Sequence, residues 1–199
     1  MGCLKKIIKS VILALAIIGF FSIGGKDWVV SLWNKHMGKS PQTMIEKAQK
    51  VGDFSQINEE YSIEKVTGML GYNGVLAEHS ATGQKMIVVD DHKKPILTKE
   101  DIVSGNIEAK VKSSLGKLKY QSLGLEEFEI TKHGTLYSYG KNTPYARFNT
   151  KITRFPVGAM SGIVAVVPDK NGEDRILISL NEKNKYSQLL AEEFFKKIK

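Results

Sequence analysis

The chain has 199 residues, 42% of them hydrophobic, a formal net charge of +8 and a single cysteine. That excludes a disulfide framework and leaves room for one domain with a sizeable core rather than two. Its cationic residues include only three arginines, Arg147, Arg154 and Arg175. Bidentate reading of phosphates or bases favours arginine, so nucleic-acid binding is not expected.

The first predicted element is apolar. Lys5, Lys6 and Lys9 lead into the run from Val11 to Phe21, followed by Ser22, Gly24 and Gly25. This is the pattern of an export signal or a membrane anchor. The unbroken run is nearer a signal-peptide h-region than the roughly 20 residues of a spanning helix. Ser22 and Gly24 suit the small positions of a cleavage site, which places the cut after Gly24. Trp28 and Trp33, flanking Val29, Val30 and Leu32, argue the other way, as an interfacial belt, and Lys9 can snorkel to lengthen the span. A retained anchor is the slightly favoured reading. Either way the lysines hold the N-terminus inside and carry the rest out of the cytoplasm. Cys3 precedes the apolar run, unlike a lipoprotein cysteine, and Lys6 stands where a myristoylation signal wants Ser or Thr. The expected organisation is a signal peptide or anchor over residues 1–25, a juxtamembrane linker over 26–39, and one extracytoplasmic domain over 40–199. Without the first 25 residues the charge is +5, modest enough to be a solvated lysine surface. Contact with anionic lipid or a cell-wall polymer is the functional alternative.

Ser40-Pro41 reads as an N-cap and first helical residue. Met44, Ile45, Ala48 and Val51 then mark one face before Gly52. From Tyr61 to Asp90, β-favouring residues broken by Gly68, Gly71, Asn73-Gly74 and Thr82-Gly83 predict two or three strands with tight turns, and Met86 to Val89 suits a buried strand. Thr98 with Asp101 resembles a capping box. Ile102, Val103, Ile107, Val111 and Leu115 continue that helix's stripe, with Gly105-Asn106 breaking it and Gly116 ending it.

Further on, Phe128 and Ile130 alternate with polar residues, His133-Gly134 reads as a turn, and Leu136, Tyr137 and Tyr139 lead to Asn142-Thr143-Pro144. Tyr145, Arg147, Asn149 and Lys151 form the wet side of an alternation whose apolar side is Ala146, Phe148, Thr150 and Ile152. The runs Ile163 to Val167 and Arg175 to Leu180 flank the turn residues Pro168 to Gly172, a strong hairpin signal. Tyr186, Leu189, Leu190, Glu193, Phe194 and Ile198 place a final amphipathic helix against the sheet. The expected fold class is α+β, an antiparallel sheet with flanking helices behind an N-terminal apolar helix.

The stretch from Gly162 to Val167, the Asn171-Gly172 turn, Arg175 to Leu180 and the helix from Tyr186 to Ile198 resemble the end of PsbP-like and DcrB-like domains. The resemblance covers roughly the last forty residues and rests on pattern. It implies an α/β/α sandwich around an antiparallel sheet, extracytoplasmic or lumenal and non-enzymatic. No functional residue of those families maps onto this chain.

Candidate chemistry is sparse. Asp90, Asp91 and His92 put oxygen and nitrogen ligands together, but a polar loop is the plainer reading and no metal site is expected. His79 and His133 have the pKa of general bases, yet both read as surface residues. Ser161 lacks the flanking pattern of a nucleophile, and Gly68, Gly71 and Gly74 lack the lysine and spacing of a phosphate loop. No cofactor is expected. Tyr137, Tyr139, Tyr145, Arg147 and Arg154 are the first choice for a binding surface, since aromatic faces combine apolar area with polar tips. The leading reading is a non-enzymatic, membrane-anchored or secreted envelope domain that binds a protein, polymer or lipid partner. The alternative is an enzyme with dispersed residues, Asp90, Asp91, His92 and His133 first among them.

Overall fold

The computed structural model describes residues 46–69, 72–90, 97–110, 125–152 and 159–199. Through them run β1 (Tyr61–Met69), β2 (Tyr72–His79), β3 (Lys85–Asp90), β4 (Leu125–Ser138), β5 (Lys141–Ile152), β6 (Met160–Pro168) and β7 (Asp174–Glu182). Helices α1 (Lys99–Val103) and α2 (Gln188–Lys197) accompany them, with further helical turns at 46–49 and 106–110. The strands form one antiparallel sheet in the order β1-β2-β3-β7-β6-β5-β4, and the fold is α+β.

The central strands explain why the sheet is covered twice. Successive side chains of a strand point to opposite faces, yet Ile176 and Leu177, neighbours in β7, are both fully buried. A strand apolar at both parities needs cover on both sides. On the first face Ala191, Phe194, Phe195 and Ile198 of the α2 region share a core with Met86, Leu177 and Ile163, joined by Val51 and Phe54. Burying a side chain of this size contributes about 1.5–3 kcal/mol, so Phe194 and Phe195 together fasten α2 by several kcal/mol. On the second face Leu97, Ile102 and Ile107 share a core with Ile87, Ile178 and Phe148. The capping box that starts α1 is present in both directions, between Thr98 and Asp101, and Gly105, at φ +74°, stands where the helix breaks. Val103, expected on the apolar stripe, is instead 65% exposed.

Among the described residues, three hairpin turns use positive φ. Gly83 takes it between β2 and β3, and Gly172 between β6 and β7, where the Asp169 carboxylate accepts from the N–H groups of Asn171 and Glu173. Between β4 and β5 the turn is Tyr139-Gly140, at φ 49° and 75°, closed by the Ser138–Lys141 pair. Two positive φ values in a two-residue loop make a type I′ turn, which favours Asn-Gly over a tyrosine. Here tertiary contacts outweigh the local preference. The Tyr139 hydroxyl donates to the Val51 carbonyl at 2.7 Å, its N–H donates to the Ile198 carbonyl, and its ring is buried.

Several expected boundaries move. His133-Gly134 lies inside β4 and Asn142-Thr143-Pro144 inside β5, because the chain reverses at Tyr139-Gly140 instead. Asn73-Gly74 lies within β2. The β4 ladder is shifted between Ile130 and Lys132, and one extra residue reverses which face each side chain takes. Phe128 and Ile130 therefore pack in the second core while Leu136 packs in the first. The supposedly wet side of β5 is covered too, since Tyr145 belongs to the first core. In α2, Leu189 is 73% exposed, whereas Ala191 and Phe195, left out of the expected stripe, are fully buried. Of the helix expected from Ser40, only its end at 46–49 is described. The apolar run, the linker, Asp91, His92, Gly71, Val111, Leu115, Gly116 and Arg154 lie outside the described residues.

Candidate functional site

The most developed polar cluster is one the sequence did not single out. Arg175, cross-strand partner of Asp90, is 2% exposed, and so is Asp90. Its guanidinium donates to Asp90 at 3.2 Å, Asp169 at 2.9 Å and Glu173 at 3.1 Å, and to the carbonyls of Val51 at 3.1 Å and Asp174 at 3.3 Å. Asn73 donates to the other Asp90 oxygen at 3.1 Å. A buried charge is tolerable only when paired and fully hydrogen-bonded, and this one is. Together with Tyr139, which reaches the same Val51 carbonyl, the cluster clips residue 51 onto the sheet. The Tyr139 phenol is raised well above its ordinary range by burial, with the Arg175 charge opposing. An arginine opening a strand reads as an edge cation, and only the register that pairs it with Asp90 reveals its role.

The five residues of the expected binding surface do not converge as a group. Tyr137 pairs with Asn142, so it shares the second face with Ala146 and Phe148, and it is 44% exposed. Tyr139 is turned inward, and Arg154 lies outside the described residues. Tyr145 and Arg147 share the first face. Tyr145 pairs with Gly134, where an added Cβ would meet its ring carbon and hydroxyl at 2.5 Å, so the missing side chain is what lets the ring lie across β4. The Tyr145 hydroxyl accepts from Gln188 Nε2 at 2.5 Å, and Gln188 also donates to Glu192 at 2.6 Å. The Arg147 guanidinium carbon sits 5.5 Å above the Tyr186 ring centroid, a cation–π contact. Burial pushes the Tyr186 phenol up, with the Arg147 charge opposing it. Sequence reasoning missed Tyr186, Gln188 and Lys132, the cross-strand neighbour of Arg147. The alternation of Tyr145 with Arg147 was the available signal, because it places both on the face that the C-terminal helix covers.

The catalytic suspects are held apart or occupied. Asp90 on β3 and His133 on β4 stand four strand spacings apart, about 19 Å across the sheet. His79, expected at the surface, is 6% exposed; its Nδ1 lies 3.0 Å from Thr82 Oγ1 and its ring meets Tyr61 edge-on at 5.0 Å. His133 is exposed, as expected. Ser161 is buried and donates to Asn149 at 2.6 Å. Gly68 and Gly74 sit in the ladder between β1 and β2. Among the described residues no group of three or more His, Cys, Asp or Glu is placed to hold a metal ion, and no helix is long and apolar enough to cross a membrane.

Fold and site together define an α+β protein whose seven-stranded sheet carries a Tyr-Arg-Tyr cluster between its β4–β5 edge and the start of α2. No known protein family matches the sequence, and no curated protein matches it.

Proposed function

We propose that this protein is a non-enzymatic domain of the cell envelope that binds a protein, polymer or lipid partner through the face carrying Tyr145, Arg147 and Tyr186. The observation that carries the binding reading is the Arg147 guanidinium held 5.5 Å over the Tyr186 ring centroid beside the β4–β5 edge. By contrast, two prominent polar groups of the interior are occupied by protein partners: Arg175 by its carboxylates and carbonyls, and Gln84, which donates to Ser179 and to the Ser187 carbonyl. The separation of Asp90 from His133 weighs against the dispersed-enzyme alternative.

The location follows from Lys5, Lys6 and Lys9 ahead of the Val11 to Phe21 run: a single-pass helix with the sheet outside the cytoplasm, or a secreted form cut after Gly24. The full architecture we infer is an α/β/α sandwich behind that apolar helix. It is supported by the separate cores on the two sheet faces and by the succession β6, β7, α2, which is the order that the PsbP-like and DcrB-like resemblance implies.

Fractionation of the full chain with a C-terminal tag, followed by intact mass, tests the location. A full-length species that resists salt and alkaline extraction is expected. A soluble product starting near Gly25 would refute the anchor and leave a secreted protein.

A further inference from the structure

We infer that Arg147 and Lys132 form a subsite for a phosphate group. The inference deepens the binding reading above by naming the ligand chemistry of that face. Arg147 and Lys132 are direct cross-strand partners on β5 and β4, so their side chains leave the same face of the sheet. Two cations so placed repel each other. Among the described residues no carboxylate lies within ion-pair distance of either, and the Arg147 guanidinium donates no hydrogen bond. Arg175 shows the contrast, since that guanidinium has every direction occupied by oxygen.

Arg147 is half-buried, which removes part of its hydration, and among the described residues the Tyr186 ring is what compensates. Contact with the ring uses none of the guanidinium N–H groups, which remain free to take two oxygens of one anion. Lys132, exposed beside it, adds a point charge. A phosphate monoester carries about −1.5 to −2 at neutral pH, which matches two cations where a single carboxylate matches one. Bridging both would cancel the repulsion between the strands and fill the idle donors in one step.

The chain has three arginines, so its arginine Nε–Hε spectrum holds three resonances. The full chain, labelled with ¹⁵N-arginine in a neutral detergent, is titrated with inorganic phosphate against chloride at matched ionic strength. One resonance should move with phosphate and not with chloride, and it should be the resonance missing in Arg147→Lys. Retention of the Arg175 resonance in that variant reports that the fold is intact. Lys132→Gln should raise the half-saturating phosphate concentration about fivefold. The same chain in lipid discs of phosphatidylcholine, with and without phosphatidic acid, whose headgroup is a phosphate monoester, separates the sources: movement with the anionic lipid alone assigns a headgroup, and movement only with added phosphate assigns a soluble group. A resonance unmoved by phosphate and by anionic lipid, or moved equally by chloride, overturns the subsite. The outcome of fractionation has no bearing on these readouts, so location and subsite fail separately.

Discussion

Tyr139→Asn sets a local preference against a tertiary one, and the sign of its effect decides between them. Asn-Gly is the favoured pair of a type I′ turn, and relieving a non-glycine residue at φ 49° should return about 1–2 kcal/mol. Judged on the turn alone, the substitution stabilises. Against that stand the loss of a large aromatic ring that is 8% exposed, about 3–5 kcal/mol, and of its buried hydrogen bond to Val51, about 1 kcal/mol. The Val51 carbonyl still accepts from Arg175, so no oxygen is left stranded and the hydrogen-bond loss stays at the lower end. The net expectation is destabilisation of about 2–5 kcal/mol, a fall in Tm of at least about 4 °C for a chain of this length. Thermal melts of the full chain followed by circular dichroism, with Tyr139→Phe as a control losing only about 1 kcal/mol, measure it. A Tyr139→Asn variant as stable as the parent, or more so, would refute the claim that the ring holds the turn.

Arg175→Met should cost about 3–5 kcal/mol in urea unfolding, because it leaves Asp90 and Asp169 buried without their cation; a loss below about 1 kcal/mol would mean that the pair is not desolvated. Ser138→Ala should stabilise by about 1 kcal/mol in the same assay, since the serine hydroxyl is fully buried with no partner among the described residues; a loss would reveal a partner. Burial raises the Tyr61 phenol to about 12 and raises those of Tyr139 and Tyr186 as well, so the folded state favours their neutral forms. That contribution is complete below the unfolded value near 10 and is lost as pH rises through the folded values. Of the seven tyrosines, these three should ionise late in an absorbance titration, together with loss of native circular dichroism. Ionisation of all seven in one step near pH 10 on a folded protein would contradict their burial.

What was legible in the sequence is what a single physical signal determines. The β6–β7 hairpin was readable because five turn-forming residues separate two apolar runs, and the capping box because Thr98 and Asp101 satisfy each other's backbone within one turn. What failed was wherever two signals competed. His133-Gly134 looks like a turn locally, but Gly134 is needed inside β4 to admit the Tyr145 ring, so the glycine answers to a neighbour eleven residues away. Tyr139 fails the other way: a residue poorly suited to positive φ is held there by contacts with Val51 and Ile198 that no local window contains.

The candidate site shows the same limit more sharply, because it depends on parity. Five residues close together in sequence were expected to share a surface, and closeness in sequence was a poor guide to it. Tyr145 and Arg147 sit two apart on one strand and must share a face. Tyr137 lies on the other strand of the hairpin, so its face is set by pairing register, and the Tyr139-Gly140 turn places it opposite Asn142. Had the chain turned at Asn142-Thr143-Pro144, that register and the neighbours of Tyr137 would both differ. The bulge after Ile130 has a second consequence: it lets β4 fill the second core with Phe128 and the first with Leu136, and it brings Lys132 opposite Arg147. Counted by strict alternation from Phe128 and Ile130, Lys132 and Leu136 would fall on the second face, and the bulge at Thr131 is why they lie on the first. Deleting Thr131 would restore strict alternation yet leave Ile130 opposite Phe148 and Lys132 opposite Arg147, so Leu136 should stay in the first core and the two cations on which the phosphate subsite depends should stay side by side.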